Sequence, residues 1–90
     1  MQEIRAVVAG KVQGVAYRYF TQDAASDLEL TGWVRNRRDG TVEVCAQGTA
    51  DVLKEFVEHL HEGSLMAKVE SVSVDWHTVK TVYDDFSIKH

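Results

Sequence analysis

The chain has 90 residues and a mass of 10.1 kDa, the size of one small domain (1–90) without room for a second core. Hydrophobic residues make up 44% and charged residues 27% of the chain, which excludes a disordered protein. No apolar run approaches the ~20 residues that a membrane span needs, and one cysteine cannot form an internal disulfide. We therefore expect no membrane partner and a cytoplasmic location.

The charge pattern also bears on possible partners. The net charge of −4 argues against nucleic acid, because phosphate neutralisation usually requires a basic surface. An RNA-binding sheet is a poor match too, since the central segment 41–46 contains no aromatic residue. Residues 1–38 carry a net +2 and residues 39–90 a net −6, a distribution that favours a small anion over a long polyanion.

The first half of the chain predicts three strands and one helix. Residues 4–9 form an apolar, partly β-branched run that ends at Gly10, which is typical of a strand. Apolar side chains then recur at helical spacing, at Tyr17, Phe20, Ala24 and Leu28. Segments 33–36 and 41–46 resemble paired strands, and Asp39-Gly40 between them is a strong hairpin signal.

The second half predicts one more helix and two strands. Thr49 is a candidate N-cap, and Gly63 stands where a helix should end. Between them, apolar residues follow one helical face: Leu53, Phe56, Val57 and Leu60. Segments 69–76 and 86–89 are predicted strands, while 77–85 has no clear pattern. The order indicates an α+β, ferredoxin-like split βαβ sandwich (βαββαβ), with both helices on one face of an antiparallel sheet.

The segment from Gly10 to Arg18 is a candidate anion site. Its two glycines permit a tight turn whose backbone N–H groups face one concavity, continued by the free N–H groups of a helix start. The positive charge of Arg18 in the first helical turn is unfavourable next to the positive end of the helix dipole, by roughly 0.3–1 kcal/mol. An oxyanion bound between Arg18 and the backbone N–H groups would make the interaction favourable. A solvated arginine after an ordinary loop fits the spacing equally well. A Walker A loop is excluded because Val15 follows Gly14.

Asn36 is the second unusual residue, because asparagine is unfavourable in strands. Its carboxamide both donates and accepts hydrogen bonds, so it could hold a water molecule. The alternative is that Asn36 begins the turn into Asp39-Gly40.

Two motifs together resemble the acylphosphatase family. The first motif is Gly10-Lys11-Val12-Gln13-Gly14-Val15-Ala16-Tyr17-Arg18. The second is Gly32-Trp33-Val34-Arg35-Asn36 followed by Asp39-Gly40-Thr41-Val42-Glu43. The motifs have the family's order and spacing, and the βαββαβ pattern covers nearly the whole chain. The resemblance implies a phosphoryl-binding loop made of Gln13, Gly14, Val15, Ala16, Tyr17 and Arg18. It also implies that Arg18 is the catalytic arginine and that Asn36 orients the attacking water.

The implied activity is metal-independent, cofactor-free hydrolysis of the carboxyl-phosphate bond of a small acyl phosphate. The carboxylate leaving group has a pKa near ~4–5 and departs without a general acid. The alternative is a non-catalytic accessory module of the same fold that binds phosphate or carbamoyl phosphate. The sequence does not choose among acyl phosphates, and a monomer is expected.

Some residues depart from the family pattern or have other interpretations. Lys11 stands where many members have arginine, and Gly63-Ser64 replaces the usual Gly-Pro, which leaves the 63–68 conformation open. The four histidines have no metal-ligand spacing. Cys45 is predicted to be half-buried, and Trp33 and Trp76 to be packing residues. Arg35, Arg37 and Arg38 are either a solvated strand end or an electrostatic guide for anionic substrates.

Overall fold

The computed structural model describes residues 1–90, which form five strands and two helices. In chain order these are β1 (Gln2–Lys11), α1 (Tyr17–Asp27), β2 (Thr31–Asn36), β3 (Val42–Gly48), α2 (Ala50–Glu62), β4 (Lys68–His77) and β5 (Phe86–Lys89). The predicted βαββαβ arrangement is confirmed, and the predicted short strand 86–89 is β5, at an edge of the sheet. No helix combines the length and the apolar character needed to cross a bilayer.

The sheet has the strand order β4-β1-β3-β2-β5. Pairs β1–β4, β1–β3 and β2–β3 are antiparallel as predicted, whereas β5 runs parallel to β2. The parallel pair arises because the chain leaves β4 at one edge of the sheet and crosses to the other edge before it starts β5. This placement brings the last residues of the chain next to the end of β2.

Alternation along the strands builds the core between the sheet and the helices. Seven even-numbered residues of β1, β2 and β3 lie in the core and are fully buried: Ile4, Ala6, Val8, Val34, Val42, Val44 and Ala46. From α2, three side chains at the predicted spacing, Leu53, Phe56 and Leu60, complete this layer at 0% exposure. The helical periodicity of α2 therefore identified its buried face correctly.

The segment 77–85 crosses the opposite face of the sheet and covers a polar cluster. Gln47 is 1% exposed, donates to Glu3 Oε1 at 2.9 Å and to the Thr81 carbonyl, and accepts from the Tyr83 N–H at 3.3 Å. The Tyr83 hydroxyl accepts from Trp33 Nε1 at 3.3 Å. Every buried side-chain polar atom of the chain has a partner. This cluster therefore attaches the crossing segment to β1 and β3.

Local details differ from the sequence predictions at four residues. β2 begins at Thr31, two residues earlier than predicted. Its second residue must be glycine, because a Cβ on Gly32 would collide with the backbone of Cys45. Cys45 is completely buried, so the prediction of half-burial was wrong. Thr49 does precede α2, but its side chain makes no capping hydrogen bond.

The two tryptophans have different environments. Trp33 is 6% exposed, and Arg35 and Lys89 lie over its ring at 5.5 and 4.6 Å from the centroid. Trp76 is 44% exposed at the outer strand β4. Only Trp33 is thus a buried packing residue.

Candidate active site

The loop between β1 and α1 has the backbone shape of an anion-binding nest. Gly14 has φ +72° and Ala16 has φ +61°, two left-handed residues separated by Val15. A Cβ on Gly14 would meet no atom within 4 Å, so φ rather than space requires glycine there. Ala16 has no such freedom, and a non-glycine residue in the left-handed region costs about 1 kcal/mol or more. The loop therefore keeps a strained conformation that places its amides together.

Helix α1 extends the nest with unpaired donors. The first intrahelical bond runs from the Phe20 N–H to the Ala16 carbonyl at 3.0 Å, so the N–H groups of residues 17–19 have no intrahelical acceptor. Ala16 occupies the N-cap without a side-chain hydrogen bond, and the first turn contains no acidic residue. Three N–H donors thus lack a protein acceptor, and no acidic side chain offsets the positive end of the helix dipole.

The side chains of Gln13 and Tyr17 hold the loop in place. Gln13 Nε2 donates to the carbonyls of Arg37 and Thr41 at 2.7 and 2.9 Å, which joins the loop to the β2–β3 turn. Tyr17 is 1% exposed and its hydroxyl donates to the Leu60 carbonyl at 2.7 Å. Burial raises the pKa of Tyr17, so the hydroxyl remains a protonated donor. The side-chain donors of both residues are thus used to hold the loop.

Arg18 is anchored by the end of the chain. Its Nη1 donates to the Lys89 carbonyl at 3.0 Å and lies 3.4 Å from Nδ1 of His90. Lys89 pairs with Arg35 in the parallel β2–β5 ladder, so this anchor lies beside the residue that precedes Asn36. Sequence analysis missed this contact, because a backbone carbonyl 71 residues away has no residue-type signature.

Asn36 is the last residue of β2 and pairs with Val42 of β3. The turn begins after it, where the Arg37 N–H donates to the Thr41 carbonyl at 2.8 Å. The interpretation of Asn36 as the first turn residue is therefore wrong. Its side chain is exposed and hydrogen bonds to no protein group, which leaves the carboxamide free to bind a ligand or water.

One pocket brings these features together. It has a volume of about 160 Å³ and is lined by Val12, Gly14, Ala16, Tyr17, Arg18, Tyr19 and Asn36. Gln13 and Val15 do not line it, although both belong to the predicted loop. The pocket thus combines an open helix N-terminus, a guanidinium and an unpaired carboxamide.

The neighbouring arginines are mostly engaged elsewhere. Arg35 bonds to Glu43 at 2.7 Å, and Arg37 lies 3.9 Å from Asp39. Hydrogen bonds from the Thr41 hydroxyl and N–H lower the pKa of Asp39, so the turn carboxylate stays ionised. These pairs support the interpretation of a solvated strand end.

Comparison with known proteins identifies the family. A model of the acylphosphatase family matches residues 4–88. The chain is 45% identical to the acylphosphatase of Dehalococcoides mccartyi (strain CBDB1) over 91 residues, 100% of each protein, and 41% identical to that of Salinibacter ruber over 88 residues, 98% of this chain and 93% of the relative. The crystal structure of acylphosphatase from Bacillus subtilis covers 100% of both chains with a TM-score of 0.97 and 42% identity. The chain belongs to the acylphosphatase family, whose members are hydrolases of acid anhydrides.

Proposed function

We propose that this chain hydrolyses the carboxyl-phosphate bond of small acyl phosphates, with the phosphoryl group held by the 13–18 loop and Arg18 and with the water oriented by Asn36. The observation that carries the proposal is the pocket in which Arg18, Asn36 and the open start of α1 meet. The products are a carboxylate and inorganic phosphate.

The phosphoryl group matches the donors of the pocket. Phosphoryl transfer depends mainly on positioning and on stabilising charge at the three equatorial oxygens. The outward N–H groups of residues 17–19 and the nest at Gly14 and Ala16 supply neutral donors at the positive end of a helix. Arg18 adds a planar cation that can contact two oxygens of one phosphate.

Asn36 is suited to place the nucleophile. Its carboxamide oxygen can accept a hydrogen bond from water while its NH2 group donates to a phosphoryl oxygen, which places the water in line with the scissile P–O bond. The water oxygen forms the new P–O bond, its proton passes to a phosphoryl oxygen, and the carboxylate leaves with the bonding electrons. A carboxylate leaving group needs no general acid, whereas the alkoxide of a phosphate ester does, so esters should be poor substrates.

The donor set of the pocket favours a reaction without a metal ion. Its lining offers amides, a guanidinium, a phenol and a carboxamide, but no carboxylate or thiolate. Divalent cations in phosphoryl-transfer sites prefer carboxylates and phosphate oxygens. The charge that a metal would supply is instead supplied here by Arg18 and the helix start.

The alternative, an accessory module that binds phosphate or carbamoyl phosphate, receives less support. A binding site has no need for an unpaired carboxamide beside the phosphate donors, whereas hydrolysis does. The relatives that this chain matches over their whole length are named as enzymes.

The deciding experiment is hydrolysis of benzoyl phosphate in EDTA by wild type and Asn36→Ala. We expect rapid wild-type turnover and a fall in kcat on the order of 10²–10³ in the variant, the loss expected for one preorganised polar group. Arg38→Ala, which removes an exposed side chain of the same turn, is the matched control and should retain full activity. If neither wild type nor the variant turns over while phosphate still binds, the accessory-module reading is favoured.

We also propose that the chain acts as a monomer. Arg18, Asn36 and the start of α1 meet within one chain, so the proposed chemistry does not require a residue from a second copy. Light scattering should give a mass near 10.1 kDa. A stable dimer would overturn this proposal without affecting the catalytic one.

A further inference from the structure

We propose that Ser64 is a positioning residue that orients the Ala16 N–H toward the phosphoryl group, an inference that rests on the proposed function of the 13–18 loop. Ser64 Oγ donates to the Val15 carbonyl at 2.8 Å, across 49 residues of sequence. No backbone N–H bonds to this carbonyl, so Ser64 is its one protein partner.

Because the peptide group is planar, the hydrogen bond from Ser64 to the Val15 carbonyl also determines the direction of the Ala16 N–H. In a planar trans peptide the C=O of residue i and the N–H of residue i+1 point in opposite directions. The Val15 carbonyl points toward Ser64, so the Ala16 N–H points away from Ser64. Ala16 lines the pocket whereas Val15 and Ser64 do not. The hydroxyl therefore fixes the peptide with its donor on the pocket side.

The loop needs such a constraint because its conformation is unfavourable by itself. Ala16 has φ +61° without the freedom of glycine, and Gly14 on the other side of Val15 is flexible in the unfolded chain. Without a partner for the Val15 carbonyl, the 15–16 peptide could rotate and turn its N–H out of the pocket. Gln13 fixes the beginning of the loop and Ser64 fixes this peptide.

Ser64 is itself held firmly enough to act as an anchor. Ser64 follows Gly63, where α2 ends with a φ of +76°. The Ser64 carbonyl accepts a hydrogen bond from the Ala67 N–H at 3.0 Å. The end of α2 is tied to α1 by the bond from the Tyr17 hydroxyl to the Leu60 carbonyl. Ala67 and Val69 then pack against the core. The 63–68 segment is thus connected to both helices, to the core and to the loop, and this is the segment whose conformation the sequence left open.

The test is the affinity of inorganic phosphate for wild type, Ser64→Ala and Ser64→Thr. Phosphate titrations followed by amide NMR give Kd directly, and competition against benzoyl phosphate gives Ki, kcat and KM. In Ser64→Ala we expect Kd, Ki and KM to rise about fivefold, the effect of one net hydrogen bond, with a smaller change in kcat. Ser64→Thr keeps the hydroxyl and should restore values to within twofold.

Leu65→Ala is the matched control in the same segment, because Leu65 is 98% exposed. It should leave all four quantities unchanged. An unaltered phosphate affinity in Ser64→Ala overturns the proposal, whether or not Tm falls, since a merely structural bond would lower Tm alone. Equal weakening in Ser64→Ala and Ser64→Thr also overturns it. If Arg18→Ala binds phosphate as tightly as wild type, the proposed phosphoryl site has failed instead.

Discussion

Two glutamines make similar contacts on opposite sides of the molecule, and their surroundings differ. Gln13 donates to two carbonyls of the β2–β3 turn and so holds a loop whose own amides have no partner. Gln47 is buried in a cluster where every polar atom is paired, from Glu3 to the crossing segment 77–85. The number of hydrogen bonds does not distinguish a structural cluster from a functional one.

The distinguishing property is what the bonds leave unpaired. Around Gln47 the donors and acceptors satisfy each other, so the cluster contributes stability and resists change. Around Gln13 the contacts hold the backbone while the start of α1, most of the Arg18 guanidinium and the Asn36 carboxamide stay available. Unpaired polar groups are tolerated around Gln13 because they are exposed and a ligand can form hydrogen bonds with them.

Arg18→Ala should cause the largest change in activity and should sharpen this comparison. We expect kcat/KM for benzoyl phosphate to fall on the order of 10³-fold, as for other arginines that stabilise phosphoryl transfer. Tm should change little, since the hydrogen bonds of the Arg18 side chain go only to the last two residues of the chain.

Arg5→Ala is the control from the other region, where Arg5 bonds to Glu3 at 3.2 Å. It should keep kcat/KM within about twofold, because no bond joins this arginine to the pocket. Full activity in Arg18→Ala would contradict the assignment of the site.

Gln47→Ala should show the opposite pattern, a loss of stability with activity retained. It removes the partner of Glu3 Oε1 and of the Tyr83 N–H, although Arg5 still bonds to Glu3 Oε2. Loss of a partner typically costs about 1–3 kcal/mol for a buried group. Urea unfolding measures this loss. Gln13→Ala is the matched variant, and we expect it to lower kcat/KM about 25-fold, as two net hydrogen bonds of ordinary strength would. If Gln47→Ala and Gln13→Ala both lower stability and neither lowers kcat/KM, the distinction between the two glutamines is contradicted.

The pH dependence of stability in acid should include a contribution from the Glu3 carboxyl, which is the smallest effect expected. Burial tends to raise the pKa of Glu3, but hydrogen bonds from Gln47 and Arg5 outweigh it and hold the pKa below the ordinary 4.5. A lowered folded-state pKa contributes stability that is present above 4.5 and is lost as pH falls through the lowered value. In Glu3→Gln the urea midpoint should therefore depend less on pH in this acid range. An unchanged slope would show that Glu3 contributes nothing to acid unfolding.

The parts of the fold that sequence analysis predicted correctly depend on near neighbours in the chain. The buried face of α2 follows from the spacing of Leu53, Phe56 and Leu60, and the β2–β3 hairpin follows from Asp39-Gly40. The resemblance brought Arg18 and Asn36 together as candidates, and the structure places both in one pocket. Their catalytic roles remain predictions until the variants are measured.

Contacts between distant segments were not predictable in this way. The anchors of the site join Gln13 to the turn, Ser64 to Val15 and Arg18 to Lys89, at separations of 24 to 71 residues. Each uses a backbone carbonyl as acceptor, and every residue has one, so no residue type marks the partner. The parallel placement of β5 was missed because a short strand does not show in its own residues which edge it joins.

The sequence alone determined which segments become helices, strands and turns, and which polar residues lack a local reason for their position. Periodicity, turn chemistry and helix-terminus electrostatics act over a few residues, so they can be read along the chain. Only the tertiary structure decided how the 15–16 peptide is oriented and that the end of β5 holds Arg18, because both depend on chain segments that meet after the sheet has formed. It also decided that Gln47 and Glu3 are buried together beneath 77–85, since burial of polar groups is tolerated only where distant partners satisfy them.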